Sequence, residues 1–160
     1  VSNPTQHEKR ILCIGVGNAF RHDDAVGLLV ARRLRNAQLM NLHIVEESGE
    51  GVNLMQAWAG YEQVIIIDAT CSNTEPGTIH RFAAHHVALP ARFFSYSSHA
   101  FSVAEAIEMA RVLGQLPSNL QVFGIEGADF STGQGLSSCV EQAAEVLVPE
   151  IRNFVREVVP

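Results

Sequence analysis

The sequence predicts an α/β domain in which a sheet of about five strands is covered on both faces by helices. Two observations carry this. The best strand candidates are apolar throughout instead of alternating, as strands buried on both faces are. They alternate along the chain with segments of helical period. Ligands of such sheets bind beyond the carboxyl ends of the strands, which is where a site is to be sought.

Residues 11–16 form a short apolar run between Arg10 and the turn at Gly17-Asn18, a buried strand. Asp23-Asp24 open a helix with Val26, Leu29, Val30 and Leu34 on one face; two acids at its start and three arginines in its later half both suit the helix dipole. Residues 42–45 are a second strand. Gly49 and Gly51 turn the chain into a short helix that presents Val52, Met55, Trp58 and Ala59. Residues 64–67 are the most apolar strand and stop at Asp68. After Pro76-Gly77, residues 78–82 alternate as an edge strand; with no long helix before it, this one could run antiparallel and make the sheet mixed.

A helix is expected over 103–113, stopped by Pro117, then a strand over 120–125. A closing helix over 140–155 carries Val140, Ala144, Leu147, Ile151 and Phe154, and Pro149 inside it should kink or split it. No internal repeat or linker interrupts this series. Residues 1–9 read as a flexible leader and 10–160 as a single domain.

The chain has 160 residues, 47% hydrophobic and 18% charged, the composition of a globular domain. A net charge of −6 argues against a nucleic-acid surface. Cys13, Cys71 and Cys139 form no CxxC pair, so neither a disulfide framework nor a thiolate zinc site is indicated, and Cys13 reads as a small core residue. No apolar run reaches the roughly 20 residues of a membrane helix, and the polar start VSNPTQHEKR is no signal peptide. A cytoplasmic protein, not inserted in a membrane, is expected.

Three residues fall at loops that the sheet rule gathers on one edge: Asp24 after the first strand, Asp68 after the third, and His99 ahead of a helix. Two carboxylates and an imidazole suit a divalent first-row metal and leave positions open for water or substrate. The two carboxylates could equally share general acid and base work without a metal. Each residue has a plainer role open to it: Asp24 as a dipole partner, Asp68 as a strand-end acid, His99 as a helix-flanking residue with Ser97 or Ser98 as cap. The remaining histidines, His85-His86 included, read as solvated. Gly15-Val16-Gly17 lacks the third glycine of a dinucleotide fingerprint, because position 20 is Phe20, and an acidic helix start would repel a pyrophosphate. Neither a G-x-S-x-G elbow nor H-E-x-x-H occurs.

Four blocks, GVGNAFRHDDAVG, VIIIDA, SSHAFSVAEAIEMARVLG and VFGIEGADFSTGQGLS, resemble in order those of the hydrogenase maturation proteases. These enzymes trim the C-terminal extension from the large-subunit precursor of nickel–iron hydrogenases. The resemblance covers about residues 11–148. It implies a three-layer α/β/α sandwich with a twisted, mostly parallel mixed sheet. It also implies nickel binding by Asp24, Asp68 and His99, with Asp24 and Asp68 as the catalytic carboxylates, aspartic-type or metal-assisted.

The nickel would arrive already inserted in the precursor, the protein partner, and so report that the substrate is loaded. Asn18 and the amides around Gly17 could then serve an oxyanion. Members often have glycine where this chain has His22 and Ala25; His22 could add a ligand or change access, and Ala25 implies ordinary helical backbone. The absence of sustained heptads suggests a monomer. Two other readings use the same features: a non-catalytic nickel-binding escort for the precursor, and a flavodoxin-like small-ligand domain.

Overall fold

A computed structural model of the chain describes residues 10–48, 51–94 and 102–158. The expected leader over 1–9 lies outside the described residues.

The apolar runs become the strands of one five-stranded sheet, ordered β2-β1-β3-β5-β4. In chain order these are β1 (Ile11–Val16), β2 (Leu42–Glu47), β3 (Gln63–Thr70), β4 (Ile79–Ala83) and β5 (Asn119–Glu126). The first three and β5 are mutually parallel, and β4 pairs antiparallel to β5 at the edge, so the sheet is mixed as expected.

Alternation along the strands divides the core in two. Ile11, Cys13, Ile65, Ile67, Phe123 and Ile125 pack with helices α1 (Val26–Asn36) and α4 (Ser138–Val158). Leu12, Ile14, Val64, Ile66, Leu120 and Val122 pack with α2 (Gly51–Trp58) and α3 (Val103–Val112) on the other face. This is the three-layer sandwich. Cys13 is fully buried, and burial pushes its thiol up to about 12, an inert core residue.

Two local expectations are corrected and a third is narrowed. Asp23-Asp24 do not open α1; they lie in a 3-10 turn, His22–Ala25, that precedes it. The third strand does not stop at Asp68 but runs to Thr70, because β5 offers partners that far: Asp68 pairs with Gly124, Ala69 with Ile125 and Thr70 with Glu126. Pro149 does not split the last helix, which is continuous over 21 residues. Pro149 and Glu145, the residue whose carbonyl a proline there leaves without an N–H, are both exposed. The helix is also tied to α1 by an ion pair between Arg33 and Glu141.

Among the described residues no helix is long and apolar enough to cross a membrane.

Candidate functional site at the carboxyl edge

The chain leaves β1 toward β2 on one side and returns to β3 on the other, so the order reverses between β1 and β3. The crevice at the carboxyl ends of these two strands is where such sheets bind ligands. Asp68 and Asp24 sit there, Asp68 on β3 and Asp24 in the turn after β1.

Two glycines bring that turn down onto the strands. A Cβ on Gly17, whose φ is +156°, would lie 2.0 Å from the Asp24 carbonyl oxygen. A Cβ on Gly27 would lie 2.3 Å from the carbonyl oxygens of both Val16 and Ile67. The glycines of this region therefore serve close packing of backbone on backbone, not a phosphate.

Asp68 shares the phase of Val64 and Ile66 and points to the face covered by α2 and α3. It is buried, and its Oδ1 accepts the amide of Ala69 at 2.8 Å. Burial, then the nearby Asp24 carboxylate, raise its pKa well above the ordinary aspartate value, against the smaller pull of the Ala69 amide. Asp24 is half-buried and its Oδ2 accepts the Asn18 amide at 3.0 Å. The Gly17 amide donates to the Glu47 carbonyl at 3.1 Å. The backbone amides of Gly17 and Asn18 thus have partners within the protein.

His99 lies outside the described residues, and nothing in the geometry bears on its place. The chain on either side of 95–101 is fixed. Phe94 packs against Gly124, the register partner of Asp68, where its Cζ is 3.7 Å from a Cβ position. Ser102 caps α3 in a capping box: its hydroxyl accepts the Glu105 amide at 3.4 Å, and the Glu105 carboxylate accepts the Ser102 amide at 2.8 Å. The N-cap is therefore Ser102 and neither Ser97 nor Ser98. Among the described residues no group of three His, Cys, Asp or Glu side chains is arranged to hold a metal ion. The described part of the expected ligand set is the carboxylate pair. Oxygen donors with one deeply buried, like-charged member suit a divalent cation, which would relieve the repulsion.

His22 has the left-handed φ of +43°, a position where glycine is at ease. Its Nδ1 lies 3.0 Å from the Gly135 carbonyl and its Nε2 4.0 Å from the Asp129 carboxylate. The ring reaches the loop after β5. Ala25 is ordinary right-handed backbone, with φ −80°, as its side chain implied.

Two carboxylates went unrecognised in the sequence. Asp23 is fully buried and anchors the loop after β5: it accepts the amides of Ala128 at 2.8 Å, Asp129 at 2.9 Å and Ser137 at 2.7 Å, and the Ser137 hydroxyl at 2.8 Å. Glu126 ends β5 with 2% exposure, on the same face as Asp68. It accepts the Thr70 hydroxyl at 2.7 Å and the Ser72 amide and hydroxyl at 2.7 and 2.9 Å, and His80 Nε2 lies at 3.5 Å. An acid where an apolar strand emerges marks Glu126 as it marks Asp68, so this residue was findable. Asp23 carried no separate signal. His85 also departs from the solvated reading: it is half-buried, with its Nδ1 3.2 Å from the Leu120 backbone.

The fold and this polar edge define an α/β domain whose acidic residues gather beyond the carboxyl ends of parallel strands. Comparison with known proteins makes the class specific. A family model described as HycI, hydrogenase maturation protease, matches residues 27–153, a span that takes in Asp68 and His99 and starts just after Asp24. The Hydrogenase 2 maturation protease of Escherichia coli K12 is 28% identical over 152 residues, covering 92% of each chain. A solution structure of an endopeptidase from Escherichia coli is 27% identical, with a TM-score of 0.79 over 93% of each chain. The maturation protease HycI of Thermococcus kodakarensis shares the fold at 22% identity, with a TM-score of 0.71 over 94% of this chain and 95% of that one. The chain belongs to the hydrogenase maturation protease family.

Proposed function

We propose that this protein is the endopeptidase that removes the C-terminal extension of a nickel-loaded [NiFe]-hydrogenase large-subunit precursor. Asp24, Asp68 and His99 would contact the nickel carried by that substrate. The observation that supports this reading most is the state of Asp68: a buried carboxylate, beside a second carboxylate, with one backbone donor among the described residues. Such a group is costly in the isolated protein and suited to an incoming cation. A loaded precursor supplies that cation and an empty one does not, so recognition doubles as proofreading.

In this reading the metal ion contributes positive charge that draws the precursor to the crevice and polarises its surroundings. Asp24, less buried than Asp68 and fixed by the Asn18 amide, accepts a proton from the attacking water. Water adds to the scissile carbonyl, the carbon–nitrogen bond breaks, and the proton passes to the departing amine.

The deciding experiment is the intact mass of a nickel-loaded precursor after incubation with this protein, beside a nickel-free control. Loss of a C-terminal peptide in the loaded sample alone is the expected result. Binding without any loss of mass would favour an escort over a protease.

A further inference from the structure

A cleft of about 560 Å³ opens at the carboxyl end of β5, on the same edge of the sheet as the carboxylate pair. One wall is the β3–β4 turn over 71–76 and the other is the loop over 127–131, with Glu126 between them. We propose that this cleft receives an extended stretch of the substrate's polypeptide and that Glu126 is the positioning residue that holds its two walls in register. The proposal deepens the protease reading above and rests on it for the identity of the substrate.

Continuity with the candidate site is the first argument. The first wall follows directly from Asp68: two residues on, Thr70 turns its hydroxyl into Glu126, and the next residue, Cys71, lines the cleft. The second wall hangs on the neighbour of Asp24, because the amides of Ala128 and Asp129 both donate to the Asp23 carboxylate. Each wall is thus tied through its backbone to one member of the carboxylate pair, the first to Asp68 by sequence and the second to Asp23, the neighbour of Asp24.

The chemistry of the lining selects the occupant. It holds two carboxylates, Glu126 and Asp129, and among the described residues no Lys or Arg. Asp129 stays ionised because the hydroxyl and amide of Ser131 hydrogen-bond to it. A phosphate-bearing ligand would meet repulsion on both sides. A polypeptide offers N–H donors to such a lining, while Phe130 and Pro76 give apolar contact. The volume falls within the roughly 300–1,000 Å³ of ordinary ligand pockets, room for a short segment of chain.

Glu126 has the position and the partners to set the walls. Its carboxylate takes three hydrogen bonds from Thr70 and Ser72, and its backbone closes the same turn: Gly77 donates to its carbonyl at 2.8 Å and its own amide donates to the Thr78 carbonyl at 2.9 Å. The next residue, Gly127, starts the opposite wall and donates to the Thr70 carbonyl at 3.0 Å.

The test uses the full-length protein and the nickel-loaded precursor. Ala128 is exposed on the second wall, so Ala128→Trp fills the cleft without touching the core. The expected result is a KM about tenfold higher or more with kcat held within about twofold, the signature of lost binding instead of lost chemistry. Glu126→Ala should raise KM in the same way, and Glu126→Gln, which keeps an acceptor oxygen, should restore most of it. A second readout needs no turnover. The half-buried Cys71 lines the cleft and the half-buried Cys139 is not part of its lining, so saturating precursor should slow maleimide labelling of Cys71 several-fold and leave Cys139 unchanged. Cleavage by the wild type with an unchanged KM in Ala128→Trp and no protection of Cys71 would overturn the proposal while leaving the protease reading intact. No cleavage with Cys71 protected would leave the cleft as the precursor's seat and remove the protease reading.

Discussion

Asp68 and Glu126 stand on neighbouring strands, on the same face of the sheet, and both are withdrawn from solvent. Burial ends differently for them. At Asp68 it is joined by the Asp24 charge and opposed by one amide, so the carboxyl holds its proton well above the ordinary value. At Glu126 burial also pulls upward, but the Thr70 hydroxyl, the Ser72 amide and hydroxyl and the His80 ring outweigh it, and the pKa falls below the ordinary value. The lesson is that depth alone does not identify a reactive carboxylate. The number of donors facing it does. Glu126 is satisfied and holds the architecture; Asp68, among the described residues, has the Ala69 amide as its hydrogen-bond donor.

The largest effect that would test this contrast is at Asp68. Asp68→Asn should abolish precursor processing while leaving the metal-free fold intact, read by intact mass and thermal denaturation. The pH dependence carries the sign. An aspartate with a raised folded pKa contributes stability that is fully present below its ordinary value and is lost as pH rises through the elevated one. Wild-type protein should therefore lose that increment across this window, and Asp68→Asn should not. A variant that processes the precursor fully would break the assignment.

Asp23 sharpens the comparison from within the same turn. It sits next to Asp24 but accepts four hydrogen bonds and is fully buried. Asp23→Ala would leave the amides of Ala128, Asp129 and Ser137 without this acceptor, at a cost of about 3 kcal/mol. Denaturant unfolding measures the loss, and faster amide exchange over 127–137 should accompany it. Unchanged exchange there would mean the loop is held by something else.

Glu126→Gln should cost less, about 1–2 kcal/mol, because an acceptor oxygen remains. Its pH signature is opposite to that of Asp68. A glutamate with a lowered folded pKa contributes stability present above its ordinary value and lost as pH falls through the depressed one. Acid denaturation of the wild type should show that term and the glutamine variant should lack it. The same sign at both residues would refute the contrast.

What the sequence revealed and what it hid follow one division. Apolar runs with clear punctuation were legible: β1 has the expected bounds, and β4 is an antiparallel edge that makes the sheet mixed. Partnership between distant residues was not. Asp68 looked like the last residue of its strand because the pairing with Gly124 through Glu126 that extends β3 comes from residues more than fifty positions away. Asp23 looked like half of an acidic dipole pair, because the three amides it collects lie over a hundred positions on. Local pattern reports burial and period; it does not report which buried carboxylate has found its donors.

The smallest effect belongs to His22, the residue that stood beside the acidic pair as a possible added ligand. Its ring reaches Gly135 and Asp129 on the loop after β5, and its backbone amide donates to the Gly133 carbonyl at 3.0 Å. Its backbone, at φ +43°, is one that glycine adopts without strain. His22→Gly therefore removes one exposed side-chain hydrogen bond, relieves the left-handed backbone and keeps the amide contact, while a freer unfolded chain opposes the gain. The terms nearly cancel, and the net change in stability should stay within about 1 kcal/mol. Processing should persist, since the side chain turns to the loop instead of to Asp68. A loss of processing in a stably folded His22→Gly protein would return His22 to the group of residues that meet the substrate.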